Sequence, residues 1–310
     1  MRDTLGSHTG NNIADQLFDV LRDYQISGNQ IAYFAADNAT NNDLALAALS
    51  ERVNIDPIKT RLRCAGHIFN LVCTAILFGA PDEESLNDAQ YDFSQSDEVT
   101  SATQIIDDFE TTLAHGSEEE QHRAWQSKGP IGRLHNLVTS IKANNKRRLL
   151  FESKQTEVIA EGDSEHTKIL RLVNNGGIRW NSTYLMIDRA IHLKDAFTLY
   201  QDHPDAGVHA DDQLTKDDWE ELCDLNQLLA PIHEVSMHVQ SVGTAVGALH
   251  NTLTSMDYLL CHLETRRSQP GTKHFMASLN LGWLKLRKYY QKTDLNPAYL
   301  MAVFLNPHFR

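Results

Sequence analysis

Asp37 is the first residue of the sequence whose type and position could support chemistry. It directly follows the apolar run IAYFAA at residues 31–36 and precedes several asparagines. Ligands bind at the carboxyl ends of strands in open α/β sheets, and a carboxylate there is a hard oxygen ligand suited to Mg²⁺. The alternative is that Asp37 caps the next helix through its side chain, as Asp often does. Spacing alone favours the capping role.

Cys64 and His67 form a C-x-x-H pair at the start of an apolar segment. One helical turn would place both side chains on the same side, where they could provide half of a zinc site. A structural Zn²⁺ ion needs four ligands, and no second pair with matching spacing follows. A buried thiol and a hydrogen-bonded histidine therefore explain the pair better than a metal ion does.

Arg179 and Trp180 follow a polar, glycine-bearing turn and precede a helical segment. A tryptophan in such a turn either packs into the core, the commoner outcome, or offers a flat face on which a nucleobase stacks. Arg179 could pair with a phosphate or with an acid such as Asp188, and composition does not decide between them. Asn181 or Ser182 is predicted as the N-cap of the following helix.

The elements that would hold these residues change along the chain from mixed α/β to helical. Apolar spacing predicts an amphipathic helix at residues 13–24, and residues 31–36 predict a strand buried on both faces of a parallel sheet. A helix over 42–52, a short strand at 60–63 and a buried helix at 65–78 follow. No β-alternation appears beyond them. We therefore expect an α/β start followed by a large all-α part, with a predominantly helical chain overall.

Later apolar stripes predict further helices around residues 131–141, 219–235, 249–263 and 283–290. The intervening region from residue 82 to 120 is strongly acidic and contains no Lys or Arg. Because it also lacks periodicity, we expect an acidic disordered loop at 80–122.

The formal net charge of -13 argues against a general nucleic-acid binder, since affinity for phosphates depends on clustered cations. The charge is uneven, however, and local basic clusters remain outside the acidic segment. These clusters are Lys142, Lys146, Arg147 and Arg148; Arg61 and Arg63; Arg266 and Arg267; and Lys285, Arg287 and Lys288.

Composition also limits the class of protein. The 310 residues, 41% of them hydrophobic, can form a sizeable core for one large domain or two ordinary ones. No apolar run is long enough to span a membrane and no signal peptide is visible, so we expect a soluble protein without a membrane partner. Four scattered cysteines are too few for a disulfide framework and fit a reducing cytosolic or nuclear setting.

Taken together, the motifs resemble those of the hAT superfamily of DNA transposases, in particular its fungal members. AADNATNND is similar to the family's second-acid motif, RLRCAGHIFNLV to its C-x-x-H motif and IRWNSTYLMIDRA to its Arg-Trp motif. LGWLKLRKYYQKTD, together with AVFLNPHFR, resembles the segment near the end of the family's helical insertion. The order and spacing agree too, and the resemblance covers nearly the whole chain apart from the acidic segment.

The resemblance implies a partial RNase H-like catalytic core over residues 1–63 and a helical insertion domain over residues 64–310. In the family, three acids bind two divalent ions, Mg²⁺ or Mn²⁺, and the site cuts and joins transposon DNA. The expected location is the nucleus, and the expected partner is DNA at transposon ends.

Individual residues carry over from the family motifs in the same way. Asp37 would be the second catalytic acid and a metal ligand, and Cys64 and His67 would lie beside the active site. Trp180 would stack against a flipped base. A base that leaves the double helix loses the stacking energy of its neighbours, so it needs such a partner. Arg179 would hold nearby DNA.

The departures from the family pattern concern the other two acids. The first belongs to an Asp-Gly-Trp type motif expected before the start of this chain, and the third to a Ser-Glu-Arg type motif expected after its end. The BED zinc finger and the oligomerisation region are not recognised either. We therefore expect a transposase-derived fragment without activity. The alternative is a domesticated helical protein-interaction module, and an enzyme completed in trans by another chain is a third possibility.

Overall fold

A computed structural model describes residues 9–79, 96–162, 167–177, 179–240, 249–269 and 276–307. The described part is mostly helical, with one small parallel sheet of two strands. The predicted fold class, a small α/β start followed by a predominantly helical chain, is confirmed.

The described residues begin with helix α1 at Gly10–Asp23, which packs against helix α2 at Thr40–Val53. Ala14, Ala45 and Leu49 form the buried centre of their contact. The predicted amphipathic helix is confirmed. Its N-cap is Thr9, whose side chain accepts a hydrogen bond from the backbone N–H of Asn12.

The sheet pairs β1, Phe34–Ala36, with β2, Arg61–Arg63. The strands are parallel, with Phe34 opposite Arg61 and Ala36 opposite Arg63. The prediction that residues 31–36 form a strand buried on both faces is wrong, since Ala35 is exposed and only residues 34–36 are extended in the sheet. The physical reason is that a sheet of two strands offers too little surface to be covered on both sides.

Helix α3 spans Ala65–Phe78 and ends at Gly79, as the sequence predicts. Its side chains are buried nearly all round, including Ile68, Phe69 and Val72. The apolar composition of the segment on every side therefore matches its position in the core.

Two helices occupy much of the acidic segment, α4 at Ser96–His115 and α5 at Glu118–Gln126. Ser117 starts α5 with a capping box, in which its N–H donates to the Glu120 carboxylate at 2.7 Å. The three glutamates of the first turn suit the positive end of the helix dipole. The predicted disordered loop is therefore wrong for residues 96–122, while residues 80–95 lie outside the described part.

Aromatic packing holds these acidic helices in place. Phe109 and Trp125 are buried, with ring centroids 5.0 Å apart, and Phe78 lies 5.6 Å from Phe109. The few apolar residues among many acids thus provide the anchoring that composition alone did not indicate.

The remaining helices carry the predicted apolar stripes on their buried faces. Leu134, Leu222, Leu229, Met256 and Leu286 are all fully buried. In chain order the helices are α6 Gly129–Ala143, α7 Asn145–Glu161, α8 Trp180–His192, α9 Lys194–Gln201, α10 Lys216–Gln240, α11 Leu249–Arg267, α12 Met276–Asp294 and α13 Pro297–Leu305.

The chain forms two compact units, each built from separate stretches of sequence. The first unit takes Met1–Leu71, Val235–Glu264 and Trp283–Arg310, and the second takes Val72–Glu234 and Thr265–Gly282. The assignment of residues 1–63 to a catalytic core and 64–310 to an insertion domain stays a prediction. No helix in the described residues has both the length and the apolar character needed to cross a bilayer.

Candidate functional site

Asp37 lies immediately after β1, at the carboxyl end of the sheet, with its side chain exposed. Its Oδ1 accepts the backbone N–H of Ala39 at 3.0 Å and the side-chain amide of Asn42 at 2.6 Å. These bonds tie the carboxylate to the turn that leads into α2. The capping alternative is wrong, because the N-cap of α2 is Ala39 and the helix has no side-chain cap. Asp37 closes the turn before the helix, and its catalytic role stays a prediction.

A cluster of charged side chains lies beside Asp37 in the first unit. Asp43 receives hydrogen bonds from Arg61 Nε at 3.0 Å and from Arg63 at 3.2 Å, and both arginine side chains are largely buried. Burial opposes ionisation of Asp43, but the two guanidinium groups hold the pKa of its carboxyl group below the usual value. Arg61 also donates to the backbone oxygens of Ala36 and Asp37, so it locks the end of β1.

The basic pair Arg61 and Arg63 thus has a structural explanation. Both arginines form ion pairs with Asp43 within the fold. The sequence had suggested them as one of several basic clusters that could contact nucleic acid. Asn38 is buried and donates to the Cys64 carbonyl at 3.0 Å, which joins the end of β1 to the end of β2. The structure therefore brings Asp37 and Cys64 to neighbouring strand ends.

Cys64 and His67 lie at the start of α3, and neither is fully buried. Cys64 is exposed, so the predicted buried thiol is wrong at this position. The buried thiol is Cys73, and burial raises its pKa well above the usual value. Among the described residues, no group of three or more His, Cys, Asp or Glu side chains is placed to hold a metal ion.

The carboxylates of Asp37 and Asp43 decide whether a catalytic divalent ion would fit at the end of the sheet. Asp37 offers one carboxylate, but its Oδ1 already accepts two hydrogen bonds. Asp43, the other acid of the cluster, is paired with Arg61 and Arg63. Mg²⁺ needs several oxygen ligands, so these described residues do not by themselves fit a Mg²⁺ or Mn²⁺ site.

Arg179 and Trp180 lie in the second unit, where Arg179 is the N-cap residue of α8. Neither Asn181 nor Ser182 is the cap, because Ser182 Oγ instead donates to the Arg179 carbonyl at 2.8 Å and accepts the Gly176 N–H at 2.9 Å. The Arg179 side chain is exposed and has no carboxylate partner among the described residues. Arg179 is therefore presented to solvent at the start of the helix.

Trp180 is buried, with 3% of its surface exposed. Its ring meets His233 edge-on with centroids 6.1 Å apart, and Tyr184 stacks on the same imidazole at 4.6 Å. Burial lowers the pKa of His233, while the charge of Asp188 opposes that shift. The core alternative thus describes Trp180 in this structure, and base stacking stays a prediction that requires the ring to leave this position.

Comparison with known protein families shows which family the chain belongs to. A family model described as the ZBED1 RNase-like helical domain matches residues 62–228, more than half of the chain. The chain belongs to the ZBED1 RNase-like helical domain family. This membership supports the resemblance to hAT transposases at the level of a transposase-derived domain.

The segment matched to the ZBED1 family contains Cys64, His67, Arg179 and Trp180, whereas Asp37 precedes it. A Talaromyces stipitatus protein named "Putative transcriptional regulator tpeD" is also similar, with 24% identity over 300 residues. The alignment covers 93% of this chain and 29% of that relative, so the chain spans less than a third of the relative's length. No solved structure matches the chain.

One further polar site within the ZBED1-matched segment was not found from the sequence. Asp212 is buried and accepts hydrogen bonds from Asn136 at 3.0 Å and Gln126 at 3.2 Å, and His122 Nε2 lies 2.8 Å from its other oxygen. Asp212, Asn136 and His122 line a cavity of about 600 Å³ in the second unit. No spacing signal could have revealed it, since Asn136 and Asp212 are 76 residues apart.

Proposed function

We propose that this protein is a transposase-derived DNA-binding protein that acts in the nucleus, where it regulates transcription without cutting DNA. Membership of the ZBED1 RNase-like helical family supports the transposase origin. The name of the Talaromyces relative supports the regulatory role.

The observation that carries the DNA-binding proposal is the exposed Arg179 at the start of α8. Its guanidinium group has no carboxylate partner among the described residues, although the chain as a whole is acidic. A guanidinium in water is a ready partner for a phosphate oxygen. The negative total charge makes such local positive sites necessary, because the whole molecule otherwise repels DNA.

The surroundings of Asp37 support the proposal that the protein does not cut DNA. One oxygen of its carboxylate closes the turn before α2, and Asp43 is neutralised by two arginines. A two-metal nuclease needs several acids that are free to bind ions.

Fluorescence anisotropy with a labelled duplex DNA tests the binding proposal. We expect the full chain to bind at low ionic strength and to lose affinity steeply as salt increases. Arg179→Gln should weaken binding and lower the salt dependence by about one counterion, as expected for one phosphate contact. Arg123→Gln, at an exposed arginine paired with Glu119, is the matched control. No binding at low salt would overturn the proposal.

A nuclease assay tests the second part of the proposal. We expect no Mg²⁺- or Mn²⁺-dependent nicking or joining of a hairpin-forming DNA substrate by the purified chain. Nicking that disappears in Asp37→Ala would contradict this expectation and restore Asp37 as a catalytic acid.

A protein-interaction module is the second candidate, and helix α13 provides the observation in its favour. This helix buries Tyr299 but leaves Leu300, Met301, Phe304 and Leu305 at least half exposed. Exposed apolar patches of this kind mark contact surfaces. If the chain does not bind DNA, and Leu300→Ser with Phe304→Ser abolishes its self-association in light scattering, this candidate replaces the first.

A further inference from the structure

A groove lined in part by cations lies in the second unit between α6, α7 and the segment at residues 170–172. Its volume is about 360 Å³. Ile141, Phe151 and Leu170 contribute the apolar lining, and Lys142, Arg148 and Arg171 contribute the positive charge. Glu152 is the one acid in the lining.

The segment at residues 170–172 is held in place by hydrogen bonds to its backbone. The buried side chain of Gln155 accepts the Leu170 N–H at 2.8 Å and donates to the Leu170 carbonyl at 3.1 Å. Lys142 Nζ donates to the Leu172 carbonyl at 3.3 Å, and the Arg189 side chain donates to the Arg171 carbonyl. The backbone is therefore fixed from both sides, while the Arg171 side chain is left exposed to solvent.

No carboxylate among the described residues neutralises the cations of the groove. Lys142, Arg148 and Arg171 are exposed, and none has an ion-pair partner among the described residues. Elsewhere, basic side chains are commonly paired. The paired ones are Arg22, Arg52, Lys59, Arg61, Arg63, Arg123, Arg133, Lys154, Lys216 and Arg266.

The position of the charges on α7 is electrostatically unfavourable for the free protein. Lys146, Arg147 and Arg148 all lie in the first turn, which contains no acid. Cations there oppose the positive end of the helix dipole and repel one another. The backbone amides of Lys146 and Arg147 already donate to Asn144 Oδ1, at 2.8 and 3.3 Å, so side chains rather than the helix end are available to an anion.

We propose that this groove binds the phosphodiester backbone of duplex DNA, with Arg148 and Arg171 each contacting a phosphate and the apolar lining facing the sugar. The inference rests on the proposed DNA-binding function and names the surface that performs it. Both guanidinium groups line the groove, and each can donate to a phosphate oxygen. Because phosphate contacts carry no sequence information, binding here would be independent of DNA sequence.

The test compares the full chain with two double variants of equal net charge. Arg148→Gln with Arg171→Gln removes both guanidinium groups from the groove. Arg123→Gln with Lys216→Gln removes two exposed cations of the same unit that are paired with acids. Affinity for a labelled duplex is measured by fluorescence anisotropy over a series of salt concentrations. Circular dichroism checks folding, and Arg171→Gln alone serves if the double variant is unfolded, because its side chain is exposed.

We expect the groove variant to bind the duplex about tenfold more weakly or worse at low salt, and its salt slope to fall by about two counterions. The control variant should stay within about twofold of the unmodified chain, since exposed ion pairs contribute little. For Arg171→Gln alone the slope should fall by about one.

The other outcomes overturn the inference in distinguishable ways. If all three proteins bind equally well, the groove is not the DNA surface but the proposed function stands. If none of them binds the duplex, both fail. If the groove variant loses only the binding of inorganic phosphate or a mononucleotide while duplex binding is unchanged, the groove takes a free phosphate rather than DNA.

Discussion

The hydroxyl group of Tyr299 accepts a hydrogen bond from the backbone N–H of Arg63 at 2.7 Å, although the two residues are 236 positions apart. Asn296, which caps α13, donates its side-chain amide to the Arg61 carbonyl at 2.9 Å. Helix α13 is thus hydrogen-bonded to strand β2. Strand β2 carries the two arginines that pair with Asp43. The candidate site of the first unit depends on a helix from the far end of the chain.

Replacing the Tyr299 hydroxyl tests this connection. Tyr299 is fully buried, so Tyr299→Phe leaves the Arg63 N–H without its partner and should lower the free energy of unfolding by about 1–3 kcal/mol. Thermal melting followed by circular dichroism measures the change. Tyr24→Phe, at a side chain that is 76% exposed, should change little and is the control. Equal melting of the two variants would show that the bond does not form.

Asp43 makes the stability of the first unit depend on pH. Its folded pKa lies below the unfolded value of 3.8, because the hydrogen bonds and charges of Arg61 and Arg63 outweigh burial. The stabilisation is therefore present above that value and is lost as the pH falls through the lower folded pKa. The difference in melting temperature between the unmodified chain and Asp43→Asn should shrink as the solution is acidified below about pH 4. A difference that is constant with pH would contradict the ion cluster, and Glu51→Gln, at an exposed acid of the same helix, is the control.

Asp37 can be tested for its two roles with a pair of variants. Asp37→Ala removes the acceptor for Ala39 and Asn42 and should lower the free energy of unfolding by about 0.5–2 kcal/mol. Asp37→Asn keeps an oxygen acceptor and should lose less. Mn²⁺ titration followed by electron paramagnetic resonance addresses the other role. Metal binding that both variants abolish would show that the carboxylate serves as a ligand and does not only close the turn before α2.

Trp180 should behave as a core residue. Trp180→Ala removes a large side chain with 3% exposure and should cost about 3–5 kcal/mol of unfolding free energy. Leu185→Ala, on the exposed face of the same helix, should cost much less. Acrylamide quenching of Trp180, kept as the one tryptophan in a variant with the others replaced by phenylalanine, gives a second readout. Strong quenching without DNA would mean that the ring is already exposed for stacking.

Asp212 should stabilise the second unit. Asp212→Ala leaves the buried amide of Asn136 and the ring of His122 without their acceptor and should cost about 1–3 kcal/mol. Its neighbour Asp211 is largely exposed, so Asp211→Ala is a matched control with the same charge change. Thermal melting compares the two, and similar small losses would show that the buried network contributes little.

Local patterns predicted most of the helices correctly. The spacing at residues 13–24 and the glycine at the end of α3 each use information within a few residues, because helical hydrogen bonds join residues four apart. The acidic segment shows the limit of composition. The charge of this segment predicted a disordered loop, yet residues 96–126 form two helices. A capping box at Ser117 and the buried rings of Phe109 and Trp125 stabilise them.

The sequence by itself indicated a transposase-derived family, most of the helices, and Asp37, Arg179 and Trp180 as candidate site residues. Tertiary structure alone decided how these side chains are used: Asp37 in a turn, Arg179 exposed and Trp180 buried. It also decided that Arg61 and Arg63 are paired with Asp43, whereas Arg148 and Arg171 have no ion-pair partner among the described residues. The physical reason is that burial and charge pairing depend on neighbours far along the chain, which local spacing does not specify.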